Sequence, residues 1–421
     1  MSASPAPTRQ PSTPPSTRAW LNKVPEVTVW FWIIKILCTT VGESFADWIS
    51  VDLGVGLLNT SLIFTVVLAA VLVWQMRLPR YNPFPYWLTV VVLSVTGTLY
   101  TDILTDRYSV PLALTTPVFA ALLAVVFGIW YARERTLSIH SIVTLPREAF
   151  YWLAILVTFA LGTAAGDWTL ELTGWGPGVS VLLPVALIAS IVVGWRLGAN
   201  TVLSFWLAYV LTRPLGANLG DWLATPRAAG GLDIGTAGTS VFFLAAILAT
   251  VVYLAMARPD VTENVAIPAR TAATRPSRER LMHAYYGLIA LAAVIVLVVA
   301  NSRPHTALAA EQEGGGGAVE QLTPRQATAH FPTGDITAFR TIVLDTLDIV
   351  RRGDQTAAAS RITDLEAAWD DAQPTLQPMD ATAWDFLDAE IDRALSAIRD
   401  SHPDVTLEER ALGALLTTLA G

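Results

Sequence analysis

Nine apolar stretches of about twenty residues fill most of the chain before position 302. They lie at about 28–48, 56–76, 87–105, 112–131, 150–171, 178–196, 202–222, 239–257 and 282–301. A hydrocarbon core takes about 20 residues of α-helix to cross, and lipid forces each backbone N–H and C=O to find its partner within the helix. These stretches therefore predict an all-α, polytopic membrane bundle. Charged residues make up only 15% of the chain, against about 25% in soluble domains.

The first eight stretches carry a repeated phrase. VGESFADW, TGTLYTDI, LGTAAGDW and LGANLGDW each place a glycine five positions before an aspartate. The pairs are Gly42 and Asp47, Gly97 and Asp102, Gly162 and Asp167, and Gly216 and Asp221. Trp48, Trp168 and Trp222 follow three of the acids, and Ile103 follows the other. The Asp positions are 55, 65 and 54 residues apart, which marks four tandem units of two helices. An even number of spans per unit makes all four copies parallel, so the odd-numbered helices end with their acids at a similar depth.

Each acid has a polar neighbour within a turn. Glu43 precedes Asp47 by four residues, while Asp106 and Glu171 follow Asp102 and Asp167 by four; the last copy has Asn218 and Thr225 near Asp221. Residues four apart share a helix face, where like charges repel. Such pairs call for a cation, a shared proton, a basic partner or water. Oxygen-rich sets suit hard cations such as Mg²⁺, Ca²⁺ or Mn²⁺. The expected metal ligands are Asp47, Asp102, Asp167, Asp221, Glu43, Asp106, Glu171 and Asn218. The competing expectation is an interfacial role, in which Asp caps a turn and Trp anchors at the headgroups. The glycines are expected to mark close helix contacts. Arg213, inside the seventh span and followed by Pro214, should find an acid of another repeat or water.

Basic residues set the expected orientation. Arg77, Arg80, Arg133, Arg135, Arg147, Arg196 and Arg258 follow the even helices, whereas the opposite loops hold only Arg107 and Arg227. The positive-inside rule then places the N-terminus in the cytoplasm of a bacterial cell, the bundle in its inner membrane and the C-terminal region outside. The first span is expected to serve as an uncleaved signal anchor. Residues 1–22 read as a disordered Pro/Ser/Thr tail, 23–258 as the eight-helix bundle, 259–280 as a basic inner loop and 281–301 as the ninth span. Residues 302–335 read as a flexible linker around GGGG, and 336–421 as a small external helical domain. From residue 311 onward the net charge is −12, and the rest of the chain carries +4.

Several chemistries are excluded. A single cysteine, Cys38, rules out a disulfide framework. No histidine lies in mid-span, which argues against a haem held between helices. Hydrolase, metalloprotease, nucleotide and dinucleotide signatures are absent. The expectation is a protein that is not an enzyme, has no cofactor and binds no nucleic acid.

With its four Gly/Asp/Trp phrases, the chain resembles a family of bacterial membrane-anchored proteins of unknown function. These are built of four tandem repeats with two transmembrane helices and a characteristic Trp in each. The resemblance covers roughly residues 23–258 and implies the architecture, not an activity. The functional expectation is a transporter or channel for a small cation, with the acids at the ends of the odd helices as ligands. The alternative is a membrane-anchored sensor or scaffold whose external domain binds a protein partner.

Overall fold

A computed structural model of the chain describes residues 22–108, 110–225, 227, 231–258, 260, 276–301, 322–399 and 405–421. The N-terminal tail and most of the 259–280 loop and the linker lie outside the described residues.

Nine long helices occupy the apolar stretches: α1 Val29–Asp47, α2 Leu57–Arg77, α3 Pro83–Asp102, α4 Leu112–Glu134, α5 Leu145–Thr173, α6 Leu182–Arg196, α7 Thr201–Ala224, α8 Thr236–Ala257 and α9 Pro276–Asn301. Local chemistry sets their starts. Thr28 accepts from the Phe31 N–H at the head of α1, and Asn82 accepts from Phe84 N–H ahead of α3. Asn200 accepts from both Val202 and Leu203 N–H ahead of α7. These side chains satisfy donors that a helix start leaves unpaired. Pro83 and Pro146 stand in first turns, where their missing N–H costs nothing. Beyond Asp47 and Asp102 the helices widen into π-helical turns, Trp48–Asp52 and Ile103–Arg107. In the third and fourth repeats the α-helix runs straight past its Asp.

The four odd helices form a closed inner ring: α1 packs on α3, α3 on α5, α5 on α7 and α7 on α1. Each even helix lies outside the next ring helix: α2 on α3, α4 on α5, α6 on α7 and α8 on α1. Burial separates the two sets. Between 56% and 67% of the apolar windows of α1, α3 and α5 are buried, against 17–22% for the four even helices. Among the described residues, eight helices are long and apolar enough to cross a membrane. The 24-residue α7 falls outside that set because it carries Arg213, Asn218 and Asp221, and its place in the ring buries twelve of its residues, Arg213 and Asn218 among them. The ninth helix lies against α5 and α6, with Tyr285 and Tyr286 over Gly194 and the Tyr286 hydroxyl 2.8 Å from Ser204 Oγ.

The repeated glycines close the ring. A methyl carbon on Gly42 would lie 2.0 Å from Ser94 Oγ, and one on Gly97 would lie 2.7 Å from Phe159 Cβ. On Gly162 it would lie 2.4 Å from Arg213 Cβ, and on Gly216 2.0 Å from Thr39 Oγ1. In all four cases the residue met stands three positions before the glycine of the neighbouring repeat. The expected packing role of these glycines thus takes a cyclic form. Two hydrogen bonds reinforce the seams: Thr39 Oγ1 donates to Thr212 O at 3.0 Å, and Thr101 Oγ1 to Ala160 O at 3.2 Å.

A separate helical domain follows, with α10 Thr333–Arg351, α11 Gln355–Leu376, α12 Ala381–Arg399 and α13 Val405–Thr418. Trp369 and Trp384 stack at 3.7 Å in its core, and Trp369 Nε1 donates to Asp388 at 2.6 Å. The domain begins earlier than the boundary at 336. Thr323 and Gln326 form a reciprocal capping box on a short helix, Pro324–Thr328, and Ala327 and Phe331 are buried in the domain core. The T-P-R-Q start signal lies in polar sequence with no apolar periodicity beside it to set it apart from a linker.

Candidate functional site

The centre of the ring is polar and charged. Arg213 on α7 is fully buried. Its Cβ and Cγ pack into the space left by Gly162 of α5. Its guanidinium then reaches the other two ring helices. It donates to the Glu43 carboxylate of α1 and the Thr98 hydroxyl of α3, and Nη1 lies 3.4 Å from Thr39 O. One side chain therefore touches all four inner helices. The expected acid partner from another repeat is Glu43. This pairing takes Glu43 out of the like-charged set with Asp47.

A second buried base lies behind Arg213. Lys35 of α1 is fully buried, and its Nζ sits 4.1 Å from the centre of the Phe159 ring and 4.3 Å from that of Tyr209. It makes no hydrogen bond among the described residues. Aromatic faces attract a cation, but they replace only part of its hydration. Lys35 stands outside the loops whose basic residues set the orientation, so loop charge does not point to it. The signal was there, as one lysine in the apolar run VWFWIIKILC, and an ionisable group in mid-span points to function by default.

At the end of the ring where the helices reach their repeated acids, Asp47, Asp102 and Asp106 line one cavity of about 240 Å³. Ser50, Asn59 and Arg107 join them, together with Asp370, Asp371 and Gln373 of the C-terminal domain. The π-helical turns after Asp47 and Asp102 belong to this wall: Ser50 and Val51 come from one, Asp106 and Arg107 from the other. Arg107 fastens the domain here, 2.7 Å from Asp371 and 3.3 Å from Ala367 O. Burial pushes the Asp370 carboxyl up to about 7, Glu366 and Asp388 add to the rise, and Arg107 opposes it.

The remaining expected ligands are not among the residues lining this cavity. Asp167 lies within electrostatic range of Asp106. Asp221 lies within range of Glu43 and Arg213, forming a second group at the centre of the ring. Asn218 is buried beside Gly166, and its Oδ1 has no hydrogen-bond partner among the described residues. Glu171 is exposed, within range of Arg399 of the C-terminal domain. The four repeat acids thus divide among neighbouring groups. Among the described residues, no three His, Cys, Asp or Glu side chains gather as a ready-made metal cluster.

The opposite end of the ring is strapped by the segment before α1. Lys23 Nζ pairs with the buried Glu148 at 2.6 Å and donates to Met76 O at 2.9 Å. Glu26 N–H donates to Asp260 O at 3.1 Å, and the Tyr81 hydroxyl donates to the Asp260 carboxylate at 2.6 Å. His140 lies 3.3 Å from Glu26. Their hydrogen bond raises the imidazole pKa and lowers that of the carboxyl.

Four segments of the chain, 30–81, 85–136, 150–198 and 204–259, match a family described as Repeat of Unknown Function (DUF347). Each match spans one helix pair, from α1–α2 to α7–α8. No curated protein and no solved structure matches the chain.

Proposed function

The chain belongs to the family built of four tandem DUF347 repeats, and from that premise we propose that it is a transporter for a small cation. On this reading the cation enters from the Asp end, taken as the outer face of a bacterial inner membrane because the arginine-rich loops at the other end favour the cytoplasm. The observation that carries this reading is the cavity shared by Asp47, Asp102, Asp106, Asp370 and Asp371, with Arg107 as its one basic lining residue. Carboxylates at a low-dielectric wall focus the field and concentrate cations. Their oxygens, with those of Ser50 and Asn59, can replace hydration water. The buried bases Arg213 and Lys35 further in argue for a closed ring and stepwise passage, not an open pore.

A second reading draws on the same cavity. The C-terminal domain supplies two of its acids and is held by Arg107, so cation binding there could also report to a partner of that domain. Purified protein should be titrated with Mn²⁺, Mg²⁺, Ca²⁺, K⁺ and Na⁺, beside a variant carrying Asp47→Asn, Asp102→Asn and Asp106→Asn. Binding that disappears in the folded variant supports the ligand role, and equal binding by both proteins sinks it. Flux into proteoliposomes then separates the readings. Uptake that survives Arg107→Ala places the activity in the bundle. Binding without uptake favours the sensor.

A further inference from the structure

We propose that Arg213 is the gate of the ring, a tethered cation that seals its centre and must leave Glu43 before a mobile cation passes. This rests on the reading of the ring as a pathway. The geometry is particular to this residue. Each repeat sets one side chain three positions before its glycine against the preceding ring helix: Thr39, Ser94, Phe159 and Arg213. Only the last is charged and long enough to cross the ring. It leaves α7, lies over Gly162 of α5 and ends on Glu43 and Thr39 O of α1 and on Thr98 of α3. The side chain of Arg213 is 0% exposed and that of Glu43 is 13% exposed, so the pair stands at the border between the acidic mouth and the dry core.

Charge balance gives the seal its logic. Glu43 is the innermost carboxylate of the Asp end, with Asp221 within range of both members of the pair. A cation moving inward meets first the acids and then a guanidinium already occupying the last of them. It can advance only by taking over Glu43, and the released guanidinium keeps Thr98 and Thr39 O as partners. Lys35, within electrostatic range of Arg213, lies further toward the far end of the ring and offers a passing cation no carboxylate. The seal therefore opposes passive leakage of cations while leaving an exchange reaction at one carboxylate.

Cys38 is a built-in reporter. It is the chain's single cysteine, it is fully buried, and it stands on α1 five residues from Glu43, toward the far end of the ring. Five residues of helix rise about 7.5 Å, so a reagent arriving from the Asp end must pass Arg213 to reach it. The full-length protein in vesicles of defined orientation should be exposed on its Asp side to a cationic, membrane-impermeant methanethiosulfonate. A small neutral methanethiosulfonate serves as the comparison, and mass spectrometry reads the modification.

The wild type should remain unmodified by the cationic reagent. Arg213→Gln should increase its rate by about tenfold or more, and by more than the neutral reagent's rate, because labelling follows the population of the open state. Glu43→Gln combined with Thr98→Val keeps the arginine but removes its two side-chain anchors, leaving Thr39 O, and it should unmask Cys38 as well. If Arg213→Gln does not yield folded protein, this second variant is read in its place, or Thr98→Val alone if needed. The gate is overturned if Cys38 stays masked in a folded variant. It is also overturned if the wild type is modified as fast as the variant, or if both reagents accelerate equally, which marks general loosening. Loss of cation binding by the mouth would sink the transport reading instead, and the labelling result does not depend on it.

Discussion

Lys35 and Arg213 show two ways of burying a basic side chain at the residue scale. Arg213 has a carboxylate and two oxygen acceptors, while Lys35 has two aromatic faces and no hydrogen bond among the described residues. Removing one member of a buried ion pair strands the other, at a cost of about 3–5 kcal/mol. An unpartnered buried base carries its desolvation cost already. Lys35→Met preserves the stem and removes the polar head, so it should raise stability by about 1–3 kcal/mol, seen as a higher melting temperature in detergent. A melting temperature that falls would reveal a partner of Lys35 that this packing does not include. The His140–Glu26 contact makes a separate prediction, set by pH. Glu26 sits below its ordinary 4.5, so its share is present above pH 4.5 and lost as pH falls through the lowered value. His140 sits above its ordinary 6.5, so its share is full below 6.5 and lost as pH rises through the raised value. The pair therefore supports the fold most between about pH 4.5 and 6.5. Both side chains are well exposed, 46% and 35%, which limits the contribution to about 0–1 kcal/mol. His140→Ala should flatten that part of the stability–pH curve.

At the scale of elements, the ring glycines carry a cost that propensity alone reverses. In an exposed helix, Gly→Ala stabilises by about 0.8–1.0 kcal/mol. Gly128 on α4 meets nothing within 4 Å of a new methyl group, so Gly128→Ala should be neutral or stabilising. Gly216→Ala drives a methyl to 2.0 Å from Thr39 Oγ1 and 2.9 Å from the Thr39 carbonyl carbon. It should cost about 1–3 kcal/mol through overpacking. Gly42→Ala should behave alike against Ser94. Thermal unfolding of the three variants side by side checks the ordering, and a tolerated Gly216→Ala would contradict a tightly closed ring. The repeats themselves were legible in the sequence, as were the nine long helices and the packing role of Gly42, Gly97, Gly162 and Gly216. The cyclic register was not, because periodicity along a chain says which face of a helix is small but not which helix lies against it.

At the scale of the whole molecule, the C-terminal domain closes one wall of the acidic cavity, and its acids respond to pH. Asp370 has its carboxyl raised to about 7 from an ordinary value of 3.8. A raised acid favours the folded, docked state at low pH, and that advantage is lost as pH rises from about 4 to about 7. Asp370→Asn should therefore stabilise the protein at pH 8 and change little below pH 4, as read by unfolding of the full-length chain. Arg107→Ala removes the ion pair with Asp371 and the bond to Ala367 O, and it should increase hydrogen exchange along α11 without unfolding the domain. Unchanged exchange there would mean that Arg107 is not what holds the domain over the mouth.

The sequence by itself determined the class of the fold, since only helices bury twenty-residue apolar runs in lipid with their backbone satisfied. It also determined the number of repeats, because four Gly/Asp phrases mark four helix pairs. Tertiary structure decided the partners. Glu43, four residues from Asp47 on one helix, turns instead to Arg213 of the last repeat, because ring closure brings α7 beside α1. Asp47, Asp102 and Asp106 share a cavity with Asp370 and Asp371, more than 260 positions further along the chain from Asp106. Lys35 meets Phe159 and Tyr209 for the same reason. Spacing encodes what lies along a helix, and only packing decides which charges from distant helices come to face one another in a medium where they cannot be left to water.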